Sequence, residues 1–303
     1  MQAILILAAM IPAAVLLILI YRADRLEKEP FSLLVGLVLF GILATLVAAV
    51  AEQLGDMILS SIVRPGTMLY DLLLYFGIVA VSEEAVKYLL LRWRTWSSPH
   101  FNCSFDGVVY AVFVSLGFAL WENIGYVLQY GLSTAIARAL TAVPGHACFG
   151  VFMGTWYGMA KRWSLAGQEE QSYRDRWLAF LIPVLLHGAY DYIAISHIED
   201  LWWLFLLFIA GLFVASIILV KKLSKNDAYM SRPSAMPPYG SPYGVPPYGG
   251  TTYQTPPYGG SVYSTPPYGG SSYGAPYGSP DSSVSPVQPQ ENEKWYNDQS
   301  DWS

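Results

Sequence analysis

The 303 residues are 54% hydrophobic and only 13% charged, and mean hydropathy is +0.37 although the last quarter of the chain is polar. That balance excludes a soluble protein built round a single core, and nothing in it points to a nucleic-acid partner. The net charge of −5 carries little information, because the sign that matters in such a chain is local.

Apolar runs long enough to cross about 30 Å of hydrocarbon fall at roughly 3–21, 31–50, 70–91, 107–128, 134–160, 177–196 and 201–220. The fold class expected is therefore all-α: a polytopic membrane helix bundle of about seven transmembrane helices with a disordered C-terminal tail. The first run has no basic residue before it, Arg22, Arg25 and Lys28 after it, and no small-residue cleavage site, so it reads as an anchor with its N-terminus outside. With that orientation thirteen Lys and Arg residues, from Arg22 to Arg232, fall in cytoplasmic stretches next to the spans and only Arg64 outside, which is the distribution of the positive-inside rule. The chain is thus expected in the cell membrane, multi-pass, with the bilayer itself as a partner.

Two domains are expected, a membrane domain over 1–225 and a cytoplasmic tail over 226–303. The tail holds 14 of the 20 prolines and repeats Pro-Pro-Tyr-Gly at 237, 246, 256 and 266. Almost devoid of aliphatic residues, it cannot bury enough apolar surface to offset chain entropy. Cys103 and Cys148 are too few for a disulfide framework and read as free thiols, Cys148 as inert packing.

The third run carries Glu83, Glu84 and Lys87 where a lipid-spanning helix should carry no charge. Each costs roughly 2.5–3.5 kcal/mol near the bilayer centre, so the three need a water-filled cavity or partners on other helices. Lys87 can reach Glu83 at i,i+4 and Glu84 at i,i+3, which neutralises about one carboxylate. Three later runs add Glu122, His146, His187 and Asp191. His146 begins a series with Gly150, Gly154 and Gly158 at every fourth residue, so it should face a packed helix. At 1.5 Å per residue these groups lie between about 12 and 24 Å from the cytoplasmic ends, compatible with one layer and a site opening to the cytoplasmic half.

Two carboxylates and two histidines can activate water for attack on a carbonyl, one carboxylate as general base and Asp191 holding a histidine tautomer. The same residue types bind divalent metals such as zinc, and His146, His187 and Asp191 are the candidate ligands. No His-Glu-x-x-His pair is present, so a metal site would be assembled from separate helices.

Taken in order, Glu83-Glu84-x-x-Lys87, Phe118-x-x-x-Glu122, His146 in a glycine-rich helix and His187-x-x-x-Asp191 resemble the PrsW family of intramembrane proteases. The polar turn from Asp24 to Pro30 is similar to that family as well, and the likeness covers roughly residues 1–220. More distantly the pattern resembles the CAAX-processing and bacteriocin-immunity proteases. The resemblance implies an endopeptidase acting on membrane-anchored proteins, an anti-sigma factor in the best-known case. By it Glu83 and Glu84 would be the catalytic carboxylates, with His187 also needed for activity and Glu122, His146 and Asp191 completing the site; Lys87 of the same motif is counted with the catalytic group, and a metal is left open. The competing readings are an ion- or proton-coupled transporter, disfavoured by the lack of an internal repeat, and a catalytically inactive adaptor working through its tail.

Overall fold

The structure, a computed structural model, divides into a unit of residues 1–239 and one of 240–303. It describes residues 2–195 and 202–230; the expected disorder of the tail and its Pro-Pro-Tyr-Gly repeats lie outside the described residues.

The described chain is helical: α1 (Gln2–Ala23), α2 (Phe31–Ile62), α3 (Met68–Leu72), a π-helical segment (Leu73–Val79), α4 (Ala80–Thr95), α5 (Asp106–Tyr130), α6 (Leu132–Leu140), α7 (Ala142–Leu165), α8 (Glu169–Ile195) and α9 (Trp202–Lys225). Among the described residues six spans meet the length and hydropathy of a membrane crossing, one of them formed by α6 and α7 together. The seventh expected span is the continuous α3, π segment and α4, which carries the three charges. α8 begins eight residues before 177, and two further boundaries differ in ways that bear on the site. The second span runs twelve residues past 50 because Glu52 and Asp56 do not interrupt the helical spacing of its apolar residues. The fifth breaks at Thr141, whose backbone leaves the helical region, so Leu132–Leu140 is a separate short helix.

The bundle is organised on α5. From Phe105 to Ala119 every residue is buried, an apolar run covered on all sides. Its neighbours approach closely because glycines face it. A Cβ on Gly154 of α7 would stand 2.4 Å from the Val108 Cα, and one on Gly41 of α2 would stand 2.1 Å from the Val114 carbonyl oxygen. The glycine series after His146 therefore does face a packed helix. A Gly154→Leu protein must part the α5 and α7 backbones and is expected to lose roughly 3 kcal/mol or more. Thermal unfolding in detergent should show this, with Gly211→Leu, whose Cβ would meet nothing within 4 Å, unchanged.

The ends of α1, α4, α7 and α9 and the start of α8 gather the basic residues at one end of the bundle. There the residues after α9 tie back to the rest. Ser104 N–H donates to Ala228 O (3.2 Å), Phe105 N–H to the Asp227 carboxylate (2.8 Å) and the Ser224 hydroxyl to Ala23 O. Burial pushes the carboxyl of Asp24 up to about 6 and that of Glu29 up to about 7 in the loop beside this seam. Both cysteines are free and buried.

Candidate active site

α4, α5, α7 and α8 each turn one polar stripe inward, and the stripes meet. Glu83, Glu84 and Lys87 occupy successive positions on the inner face of α4 and are 5%, 0% and 0% exposed. The Lys87 ammonium donates to Glu83 Oε2 and Glu84 Oε1, both at 2.9 Å, stands 3.3 Å from His146 Nδ1 and lies 3.8 Å above the Phe118 ring. Such distances satisfy the ammonium without water, which is how three charges persist inside an apolar bundle.

His187 arrives from α8, one turn after Pro183. Its Nδ1 is 2.9 Å from Glu84 Oε1 and 3.8 Å from Glu83 Oε2, and its Nε2 is 3.3 Å from Asp191 Oδ2. Phe149 stacks on the imidazole at 4.8 Å and fixes the ring plane. His146, near the start of α7, presents Nε2 to Glu122 Oε2 at 2.9 Å, and Arg138 of α6 holds the same oxygen at 2.8 Å. The Arg138 Nε also donates to Asn123 Oδ1 at 3.2 Å. Glu84 Oε2 is buried and without a hydrogen-bond partner.

All seven residues named from the sequence thus come together. Counted at 1.5 Å per residue, Glu122, His146 and His187 lie about 12, 6 and 12 Å from the ends of their helices remote from the basic residues, whereas Glu83 and Glu84 lie about 18 and 17 Å from the basic end of α4. The ring therefore sits toward the middle of the bundle, with Arg138 of α6 on its remote side. The sequence also assigns Asp191 to a metal set, whereas its carboxylate faces the outer nitrogen of His187. The donor atoms that converge within 4.8 Å of one another belong to Glu83, Glu84, His146 and His187.

Three participants escaped the sequence reading. Glu52 of α2 lies within electrostatic reach of Glu122, Lys87, His187 and Asp191. Its signal was the spacing of the buried Gly41, Ala44 and Ala48, which continues at i+4 onto Glu52. Arg138 and the aromatic clamp Phe149 carry no motif of their own, whereas Phe118 beneath Lys87 opens the Phe118-x-x-x-Glu122 pattern.

The sequence profile of the family described as PrsW family intramembrane metalloprotease matches residues 29–220. The chain belongs to the PrsW family. Protease PrsW of Geobacillus kaustophilus is 34% identical over 238 residues, 78% of this chain and 98% of the relative. Protease PrsW of Clostridioides difficile is 30% identical (75% and 92% covered), and that of Bacillus subtilis 32% identical (66% and 91%). No solved structure matches. As a PrsW family member the chain is an intramembrane protease, and the transporter and adaptor readings fall away.

The family description implies a metal, and the residues fit one. Imidazole nitrogens and carboxylate oxygens, here two of each, buried and convergent, are ligand types of catalytic zinc, which needs three of them and a position for water. Five carboxylates (Glu52, Glu83, Glu84, Glu122, Asp191) face two permanent cations, Lys87 and Arg138, so a divalent ion would relieve an excess of negative charge. The Lys87 ammonium stands among the same donor atoms and would have to yield its place.

Proposed function

We propose that this PrsW protease hydrolyses peptide bonds of single-pass membrane-anchored proteins, of the anti-sigma-factor kind, at the Glu83, Glu84, His146 and His187 centre. The observation that carries this reading is the convergence of those four donor atoms within 4.8 Å. The basic end then faces the cytoplasm, and the ring lies toward the middle of the bilayer.

Each residue has a distinct task. The unpartnered Oε2 of Glu84 takes the proton from the attacking water, since it alone among that side chain's oxygens is free to accept one. His187, oriented by Asp191 and clamped by Phe149, stands against Glu84 to pass a proton toward the leaving amine. Glu122 and Arg138 hold His146 in register on the opposite side. Lys87 fixes the two carboxylates at one spacing. A divalent ion held among Glu83, Glu84, His146 and His187 would supply Lewis-acid polarisation of the carbonyl and a more acidic water, and His187 as its ligand would then no longer carry the proton.

The test compares membrane-protein fragments in cells expressing the wild-type chain or His187→Ala. The wild type should generate fragments that end within or beside single transmembrane segments, and His187→Ala should generate none. Identical fragment sets would remove the proposal.

A further inference from the structure

Away from the protease centre, α4 and α8 part at the basic end to leave a groove of about 340 Å³. Its mouth carries two guanidiniums. Arg92 of α4 and Arg176 of α8 both lie over the Trp96 indole, 5.9 and 5.4 Å from its centroid, and both are within electrostatic reach of the Tyr88 hydroxyl. That hydroxyl is the unusual element. Tyr88 is 8% exposed, its ring held edge-on to Tyr157, yet its oxygen has no hydrogen-bond partner. Deeper in, the walls are apolar: Leu89, Trp177 and Phe180. Among the described residues no carboxylate lines the groove, and Arg176 pairs at its rim with the exposed Glu169 at 3.8 Å and donates to Ser172 O at 3.3 Å.

Length fits a particular occupant. From Arg92 to Ala85 the α4 wall runs about 10 Å inward from the headgroup level. That is the reach of a glycerol-phosphate and the first methylenes of one acyl chain, with the rest left in the bilayer. A volume near the lower limit of ligand pockets, roughly 300–1,000 Å³, agrees with partial enclosure. We propose that this groove binds one anionic phospholipid, its phosphate between Arg92 and Arg176 and hydrogen-bonded by the Tyr88 hydroxyl, its chain along Leu89, Trp177 and Phe180. A transmembrane helix of a substrate would satisfy the apolar walls but bring no anion to the two guanidiniums and no partner to the hydroxyl. The groove lies on the α4–α8 seam that also joins Glu84 to His187, so the lipid braces the two helices that carry the centre.

The full chain in neutral phosphatidylcholine nanodiscs, titrated with short-chain phosphatidylglycerol, should show a saturating rise in unfolding temperature. Equal phosphatidylcholine or inorganic phosphate should give none. Arg92→Gln/Arg176→Gln should raise the half-saturating concentration by about tenfold or more, the scale of a lost charge-assisted hydrogen bond. Tyr88→Phe should raise it by a smaller factor. Leu89→Trp, which fills the groove and keeps both charges, should abolish the rise and serves if the double variant fails to fold. An equal response to phosphatidylcholine or to free phosphate overturns the proposal, as does wild-type titration by the variant protein that folds. Displacement of the lipid effect by a neutral transmembrane peptide would assign the groove to substrate and overturn it too.

Discussion

The Glu84→Gln protein is expected to insert and fold as the wild type does while cleaving a co-expressed single-pass substrate about a thousandfold more slowly, within the range that a positioned general base supplies. The substitution keeps the shape of the side chain. Its amide oxygen can still accept from Lys87 and His187 at the position of Oε1, where both now lie at 2.9 Å. Lys87 also retains Glu83 at 2.9 Å, so no buried ammonium is left without a counter-charge. What disappears is the acceptor at Oε2, the one oxygen of this pair of carboxylates that is buried and unpartnered, replaced by an amide that can only donate. Immunoblots of the membrane fraction and the unfolding temperature report folding; product formation reports chemistry. Cleavage within tenfold of the wild type would exclude Glu84 as the base.

Purified protein is expected to hold about one equivalent of a divalent transition metal, zinc by its donor preference, and His146→Ala/His187→Ala is expected to hold none. The two imidazoles enter from α7 and α8 with ring centroids 5.3 Å apart, and removing both leaves only carboxylate oxygens, which bind such ions far more weakly. Competition with the ammonium adds a second arm. Lys87 occupies the space between Glu83, Glu84 and His146, so Lys87→Met should take up the ion more tightly than the wild type. Elemental analysis after dialysis decides both arms. Metal-free protein with undiminished cleavage would show that these groups work by carboxylate and imidazole chemistry alone.

The site was legible in the sequence because its members violate the membrane's own rule. Glu83, Glu84, Lys87, Glu122, His187 and Asp191 are costly in hydrocarbon, and helical spacing told which of them share a face. The glycine series behind His146 likewise announced its packed partner. What stayed hidden depends on where helices begin and end. Glu52 lies beyond the end of the second apolar run, and the break at Thr141 that frees α6 to bring Arg138 onto Glu122 is marked only by Pro144, three residues on in the first turn of α7. Which nitrogen of His187 meets which carboxylate is a tertiary fact, so the division of labour between Asp191 and the two glutamates was not readable from spacing.

The π segment just before the Glu-Glu pair bears on how this centre is aimed. Leu73–Val79 makes wider turns than an α-helix, and each residue gained or lost there swings everything downstream by about 100° around the helix axis. Two bare positions on other helices hold that azimuth. A Cβ on Gly188 would stand 2.5 Å from the Phe76 ring, and one on Gly55 would stand 2.6 Å from Ile78. The bearing of Glu83 and Glu84 toward His187 is thus set by missing methyl groups on α2 and α8, at sites that touch no reactant, and relatives that keep the two acids but thicken either socket would point them elsewhere.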